Sequence, residues 1–222
     1  MNYDKSIVYF VPGMAAGSEI FNNIRFPESQ YEIRVLEWLI PEKNESLTEY
    51  AYRMSLRIKD PNAILIGVSF GGVVVQEMSQ FLSLKKLIII SSVKNRFELP
   101  RRMKIAAWTK LYKLAPTSLV LIVEDLTKFS IGPKSKKRLA MYQQYLHVRD
   151  RQYLRWALEK MVTWDREEEI PGVVHIHGEK DSVFPIKYIS HCKVIPKGTH
   201  IMILNRGREI SQLLLQIFNQ TA

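Results

Sequence analysis

Short runs of β-branched and aliphatic residues alternate with amphipathic stretches through the first half of this chain, and that alternation restricts the fold more than any other feature. Ser6–Val11, Glu32–Leu36, a buried run from Asn62 or Ala63 to Val68, and Lys86–Ser91 read as strands. Between them Ser46–Ile58 reads as a helix, with Ser46 as N-cap and Glu49 three residues on completing a capping box, and Gly71–Leu82 reads as a second helix. Strands alternating with helices build βαβ units, and such units build a parallel sheet. The alternation stops at Val93. From there to about Glu169 the pattern is helical, with breaks expected at Pro100, Pro116 and Gly132-Pro133. Strands resume at Val173–His177 and Lys193–Ile195, and a last amphipathic helix is expected from about Asn205 to Phe218. The expected fold class is α/β, a mostly parallel sheet of about six strands flanked by helices. Residues 1–92 and 170–222 form its core, and the helical insertion at 93–169, about 75 residues, is too long to be a plain loop. A chain of 222 residues carries this as one domain.

The stretch Ile64-Leu65-Ile66-Gly67-Val68-Ser69-Phe70-Gly71-Gly72 sets G-x-S-x-G between the buried strand and a helix. The pentapeptide alone is common, and a plain structural turn is the alternative. Between strand and helix it becomes a sharp turn that lifts a serine hydroxyl clear of the sheet, with glycines where side chains would collide. A hydroxyl attacks carbonyls only when a base removes its proton, and the base needs an acid to hold its tautomer. Both residue types follow at strand ends: His177-Gly178-Glu179-Lys180-Asp181 delivers a carboxylate, and Pro196-Lys197-Gly198-Thr199-His200 an imidazole. A turn-capping aspartate and a loop histidine are the plainer readings of those two residues.

Strand–G-x-S-x-G–helix, then H-G-x-x-D, then G-x-H, resembles the α/β-hydrolase superfamily over essentially the whole chain, in that superfamily's order of Ser, acid, His. The resemblance implies Ser69 as nucleophile, His200 as base and Asp181 as the acid that orients it. It implies an oxyanion hole from the backbone N–H of Phe70 and one from the loop Val11–Gly17, for which Met14 is the expected donor; the family often has His-Gly where this chain has Pro12-Gly13. It also implies that the insertion is a cap, in a minimal six-stranded form of a fold that usually has eight strands. Serine at the elbow excludes the aspartate-nucleophile branches. Small carboxylic esters or thioesters are the expected substrates, cleaved without cofactor, and lyase chemistry on the same triad is a minor alternative. The rival of another class is an idle scaffold of this fold that binds a small ligand.

Several signals carry less. His175 and His177 alternate on a strand, but no further ligand cluster accompanies them, so no metal is expected. His147 and His191 read as surface or core histidines. Arg155–Trp164 has apolar residues at helical spacing, which points to packing of the insertion onto the sheet, and a share of Trp108, Tyr112, Trp156 and Trp164 is available to line an acyl pocket. The single cysteine, Cys192, excludes an internal disulfide, suits a reducing compartment and reads as a small buried residue of a strand. The N-terminus lacks a signal-peptide pattern and no run nears the roughly 18–20 apolar residues of a membrane span, so a cytoplasmic protein without stable membrane insertion is expected.

The net charge of +10 is concentrated. Residues 1–93 carry 9 basic and 10 acidic side chains, residues 94–138 carry 12 and 3, and residues 139–222 carry 11 and 9. The basic set includes Arg101, Arg102, Lys104, Lys110, Lys113, Lys134, Lys136, Lys137 and Arg138. Solvated helix faces explain it most simply; attraction of an anionic acyl substrate is the alternative, and a nucleic-acid partner rests on charge alone without any recognised module. Steering would make kcat/KM for a carboxylate-bearing ester fall as the Debye length shrinks from roughly 30 Å at 0.01 M salt to about 8 Å at 0.15 M, with a neutral ester of equal size indifferent. Superimposable salt curves for the two esters would assign the lysines to solubility.

Overall fold

The apolar run Ala63–Val68 (β3) is buried on every residue and has a strand on either side, as a strand covered on both faces must be. This computed structural model describes residues 5–110, 112, 145 and 148–220. With β3, strands β1 (Ser6–Val11), β2 (Tyr31–Val35), β4 (Leu84–Ile90), β5 (Val174–Gly178) and β6 (Lys193–Ile195) make a six-stranded sheet in the order β2-β1-β3-β4-β5-β6. Every neighbouring pair is parallel. The chain steps outward from β1 to β2, crosses back to lay β3 on the other side of β1, and then proceeds strand by strand to β6. The order therefore reverses between β1 and β3, and the C-terminal ends of strands at such a reversal are where open α/β sheets bind ligands.

Alternate residues of the strands feed two cores. One face carries Tyr9, Val11, Leu65, Leu87 and Ile89 and is covered by α1 (Leu47–Ser55), α2 (Phe70–Met78) and α4 (Arg151–Thr163), with Tyr50, Met54, Tyr153 and Trp156 among the covering side chains. The other carries Val8, Phe10, Ile64, Ile66, Ile88, Ile90 and Ile176 and is covered by α5 (Met202–Asn205) and α6 (Gly207–Asn219) through Ile203, Ile210, Leu214 and Ile217. This is the three-layer α/β arrangement expected from the alternation.

Most elements lie within two or three residues of their sequence expectation. Helix α1 has the full capping box: the Glu49 N–H donates to Ser46 Oγ at 3.1 Å and the Ser46 N–H to Glu49 Oε2 at 2.8 Å. It stops at Ser55 rather than Ile58. Helix α2 ends at Met78, and its expected last turn is instead a tighter 3₁₀ turn at Ser79–Phe81. The last helix, α6, begins at Gly207, two residues past its expected start. Arg206 separates it from α5, donating from Nη2 to the Pro196 carbonyl at 2.7 Å, and Gly207 packs so close to Asn23 that a Cβ would sit 2.6 Å from the asparagine's own. Cys192 precedes β6 and is only half-buried, contrary to its reading as a buried strand residue, because β6 is a three-residue edge strand paired on one side.

Within the insertion, α3 (Arg101–Thr109) follows Pro100 and ends at Lys110 in the left-handed region (φ 56°). Asp150 caps α4 through the Tyr153 N–H at 2.8 Å. Trp156 and Trp164 are both buried and anchor the insertion: their indole N–H groups donate to the Glu45 carbonyl (2.8 Å) and to Glu77 Oε1 (3.0 Å). Trp108 is 85% exposed. Pro116, Gly132-Pro133, His147, Lys113, Lys134, Lys136, Lys137 and Arg138 lie outside the described residues. Among the described residues no helix is long and apolar enough to cross a membrane. Because the Ser46 cap is exposed and local, Ser46→Ala is expected to lower stability by about 1 kcal/mol, seen as a lower urea midpoint at unchanged m-value.

Candidate active site

Ser69 sits where β3 turns into α2, at φ 53° and ψ −120°, a conformation that non-glycine residues avoid. Its backbone is tied on three sides. The Ser69 N–H donates to the Ile90 carbonyl at 2.9 Å, and the Ser69 carbonyl accepts from Ser92 Oγ at 2.7 Å and from the Gly72 N–H at 2.9 Å. The glycines make the turn possible: a Cβ on Gly67 would collide with the backbone of Gly71, and one on Gly71 would collide with the carbonyls of Val11 and Pro12. With strand, turn and helix pinned this way, Ser69 is held at the C-terminal end of β3, beside the reversal of strand order.

Asp181 and His200 come to the same place from β5 and β6. Their two loops are joined by the Lys180 N–H to the Gly198 carbonyl at 2.7 Å, the Glu179 N–H to the Ile195 carbonyl at 3.1 Å, and the Lys197 N–H to Glu179 Oε2 at 2.7 Å. Gly178 and Gly198 face each other, and a Cβ on Gly178 would lie 2.6 Å from the Gly198 carbonyl oxygen. Glu179 thus holds the histidine loop by its backbone, while Asp181 faces the imidazole. His200 Nδ1 is 2.9 Å from Asp181 Oδ2, and His200 Nε2 is 2.9 Å from Ser69 Oγ. An ionised carboxylate only accepts, so Nδ1 carries the proton and Nε2 offers its lone pair to the serine hydroxyl. The other Asp181 oxygen accepts the N–H groups of Val183 (2.8 Å) and Phe184 (2.9 Å), and the Phe184 ring meets His200 edge-on at 5.4 Å. Arg102 of α3 donates to the carbonyls of Ser182 (2.9 Å) and Val183 (2.6 Å), fastening the insertion to the loop that carries Asp181.

Of the two expected oxyanion donors, Phe70 is the first residue of α2, where an N–H has no partner within the helix. Met14 lies half-buried in the loop after β1, next to Gly13, at which a Cβ would be 3.5 Å from that of Ser69. The histidines of β5 form a buried pair behind Asp181. His177 donates from Nε2 to the Phe184 carbonyl at 2.8 Å, which leaves its Nδ1 to accept from His175 Nε2 at 3.1 Å. Among the described residues no group of three or more His, Cys, Asp or Glu could hold a metal ion. His191 is exposed. The parts that sequence reasoning missed act through backbone contact: Ser92 on the Ser69 carbonyl, the Gly178–Gly198 approach, Glu179 on Lys197, and His177 on Phe184.

The parallel sheet with helices on both faces is the α/β-hydrolase fold. No protein-family model and no curated protein matches the sequence. Solved structures match the fold: olei00960, a hydrolase from Oleispira antarctica, aligns with 99% of this chain and 93% of its own at TM-score 0.73 and 12% identity. MenH from S. aureus aligns over 97% and 94% at TM-score 0.70 and 17% identity. An esterase from Exiguobacterium antarcticum aligns over 98% and 93% at TM-score 0.68 and 16% identity. At these identities the likeness is one of fold.

Burial lowers the pKa of both His175 and His177, of His175 far below the ordinary value; for His177 the nearby Asp181 carboxylate opposes the shift in part. Both are neutral when folded and take up protons when unfolded, so the unfolded state gains protons as pH falls below about 6.5. Stability is therefore expected to drop from that pH downward, by up to about 1.4 kcal/mol per pH unit for each ring while it stays neutral in the fold. Denaturant melts between pH 7 and 5 check this, and His175→Gln should flatten the slope.

Proposed function

We propose that the chain is a serine hydrolase that cleaves small carboxylic esters or thioesters through an acyl-enzyme. The observation that carries the proposal is the unbroken chain of hydrogen bonds from Ser69 Oγ through His200 to Asp181, each link 2.9 Å. In this reading Ser69 Oγ attacks the acyl carbon while its proton moves to His200 Nε2. The new positive charge on the ring is stabilised by Asp181, whose two N–H bonds and burial keep it aimed at Nδ1. The carbonyl oxygen becomes an oxyanion and takes the N–H groups of Phe70 and Met14. Collapse of the tetrahedral species breaks the bond to the alkoxide or thiolate, which leaves with the proton from Nε2. Water then attacks the acyl-serine, giving its proton to Nε2, and Ser69 leaves with that proton to restore the enzyme.

The hydrolase and esterase among the structural neighbours support ester chemistry for this fold. The insertion at 93–169 is read as a cap over the site, supported by the Arg102 link to the acid loop and the packing of α4. Ser69→Ala is expected to lower turnover of a p-nitrophenyl ester by about 10³-fold or more with the melting temperature preserved. A fluorophosphonate should label Ser69 in the wild type. A wild-type protein that neither labels nor turns over any ester or thioester would favour the idle scaffold instead.

A further inference from the structure

We infer that Trp38 is a positioning residue for the oxyanion site, holding the Gly13–Met14 peptide so that the Met14 N–H faces the serine; this rests on the hydrolase reading above. Trp38 lies in the loop after β2, half-buried, and its indole Nε1–H donates to the Gly13 carbonyl at 3.1 Å. The same oxygen accepts the Ala16 N–H at 3.1 Å. The Gly13 carbonyl and the Met14 N–H belong to one peptide group, and there is no cis peptide among the described residues. In a planar trans peptide the two point in opposite directions, so whatever fixes the oxygen also fixes the N–H. Two donors hold the oxygen on one side of the line joining the two Cα atoms, and the N–H points to the other side.

This peptide needs holding. Gly13 has no side chain to restrict it, and glycine visits both halves of backbone space, so the 13–14 peptide turns over more easily than one between two residues with side chains. Turned over, it would aim a carbonyl oxygen where a donor is wanted, and repulsion would replace stabilisation of the oxyanion. The position matters because Gly13 abuts Ser69, with a Cβ there only 3.5 Å from the serine's. The indole also reaches the second donor residue: its ring stacks on Phe70 with centroids 5.7 Å apart and 30° between planes, and it meets Tyr153 in a tilted contact at 5.2 Å. Trp38 is itself fixed, because the hydroxyl of buried Tyr50 accepts the Leu39 N–H at 3.0 Å and donates to the Leu39 carbonyl at 2.9 Å. One side chain thus touches both segments that supply oxyanion donors, through an N–H on one and a ring face on the other.

The test removes the indole N–H and keeps the ring. Trp38→Phe, and Trp38 replaced by 3-benzothienylalanine, in which sulfur stands where the N–H was, are compared with wild type on p-nitrophenyl acetate and on a fluorophosphonate. Loss of a whole oxyanion donor costs about 10²–10³-fold in kcat, so loosening one is expected to cost about 10- to 50-fold. That loss should fall on kcat with KM within about two-fold, should slow fluorophosphonate labelling by a similar factor, and should leave the pH midpoint of kcat/KM where it was, because His200 and Asp181 are untouched. A general loosening of the fold would move KM and the melting temperature as well. If Trp38→Phe does not fold, the benzothienyl variant decides, since it preserves the packing. Wild-type labelling with an unchanged rate in the benzothienyl variant overturns the role of Trp38 and leaves the hydrolase reading standing. Absence of labelling and turnover in the wild type overturns both.

Discussion

Backbone meets backbone at the turn after β3, and the rest of the site is built on that approach. Holding Ser69 at positive φ costs of order 1–3 kcal/mol, and three hydrogen bonds to its N–H and carbonyl keep it there. Those bonds require α2 to start immediately beside the ends of β1 and β4, which is possible only because Gly67 and Gly71 present no side chain. Gly72 belongs to the same contact: a Cβ there would strike Ser92, the residue that binds the Ser69 carbonyl. The strained turn and the tight sheet–helix packing are one feature, and neither survives without the other.

Asp181 and His200 reach Ser69 by a different device. Each comes on a short loop from a strand near or at the edge of the sheet, where pairing on its own would leave the loop ends free. Cross-bonds between the two loops, with the Gly178–Gly198 approach, make them one unit. Behind that unit the paired imidazoles of His175 and His177 fill the interior with neutral donors and acceptors, and His177 fixes the Phe184 carbonyl. The Phe184 N–H in turn fixes Asp181. The carboxylate is thus oriented by groups that carry no opposing charge, with its other oxygen 2.9 Å from His200 Nδ1.

The concentration of basic residues looks different in three dimensions. Lys94 is buried and paired with Glu169 at 2.7 Å, Arg96 pairs with Glu167 at 3.2 Å, and Arg102 is spent on two backbone carbonyls. Two of these three cations are offset by acids from residues 139–222, so a tally over 94–138 overstates the field they produce. Arg101, Lys104 and Lys110 are exposed, and Lys104 also donates to the Phe97 carbonyl at 2.9 Å.

The strand–helix alternation, the parallel sheet, the G-x-S-x-G turn, the capping box of Ser46 and Glu49, and the loops bearing Asp181 and His200 were all legible in the sequence. Each depends on residues close together in the chain: hydrophobic period, glycine at a steric pinch, a side chain reaching three residues on. The start of the last helix was less legible, because it is set at Arg206 and Gly207 by contacts with Pro196 and the distant Asn23. Trp38 could not be singled out, since its partner carbonyl is 25 positions away and belongs to a glycine. Nor could the pairing of Gly178 with Gly198, the neutral histidine pair or the half-buried position of Cys192. Local sequence supplies the chemical groups and the turns that present them; which backbone atoms those groups hold is decided by strands that lie far apart in the chain and adjacent in the sheet.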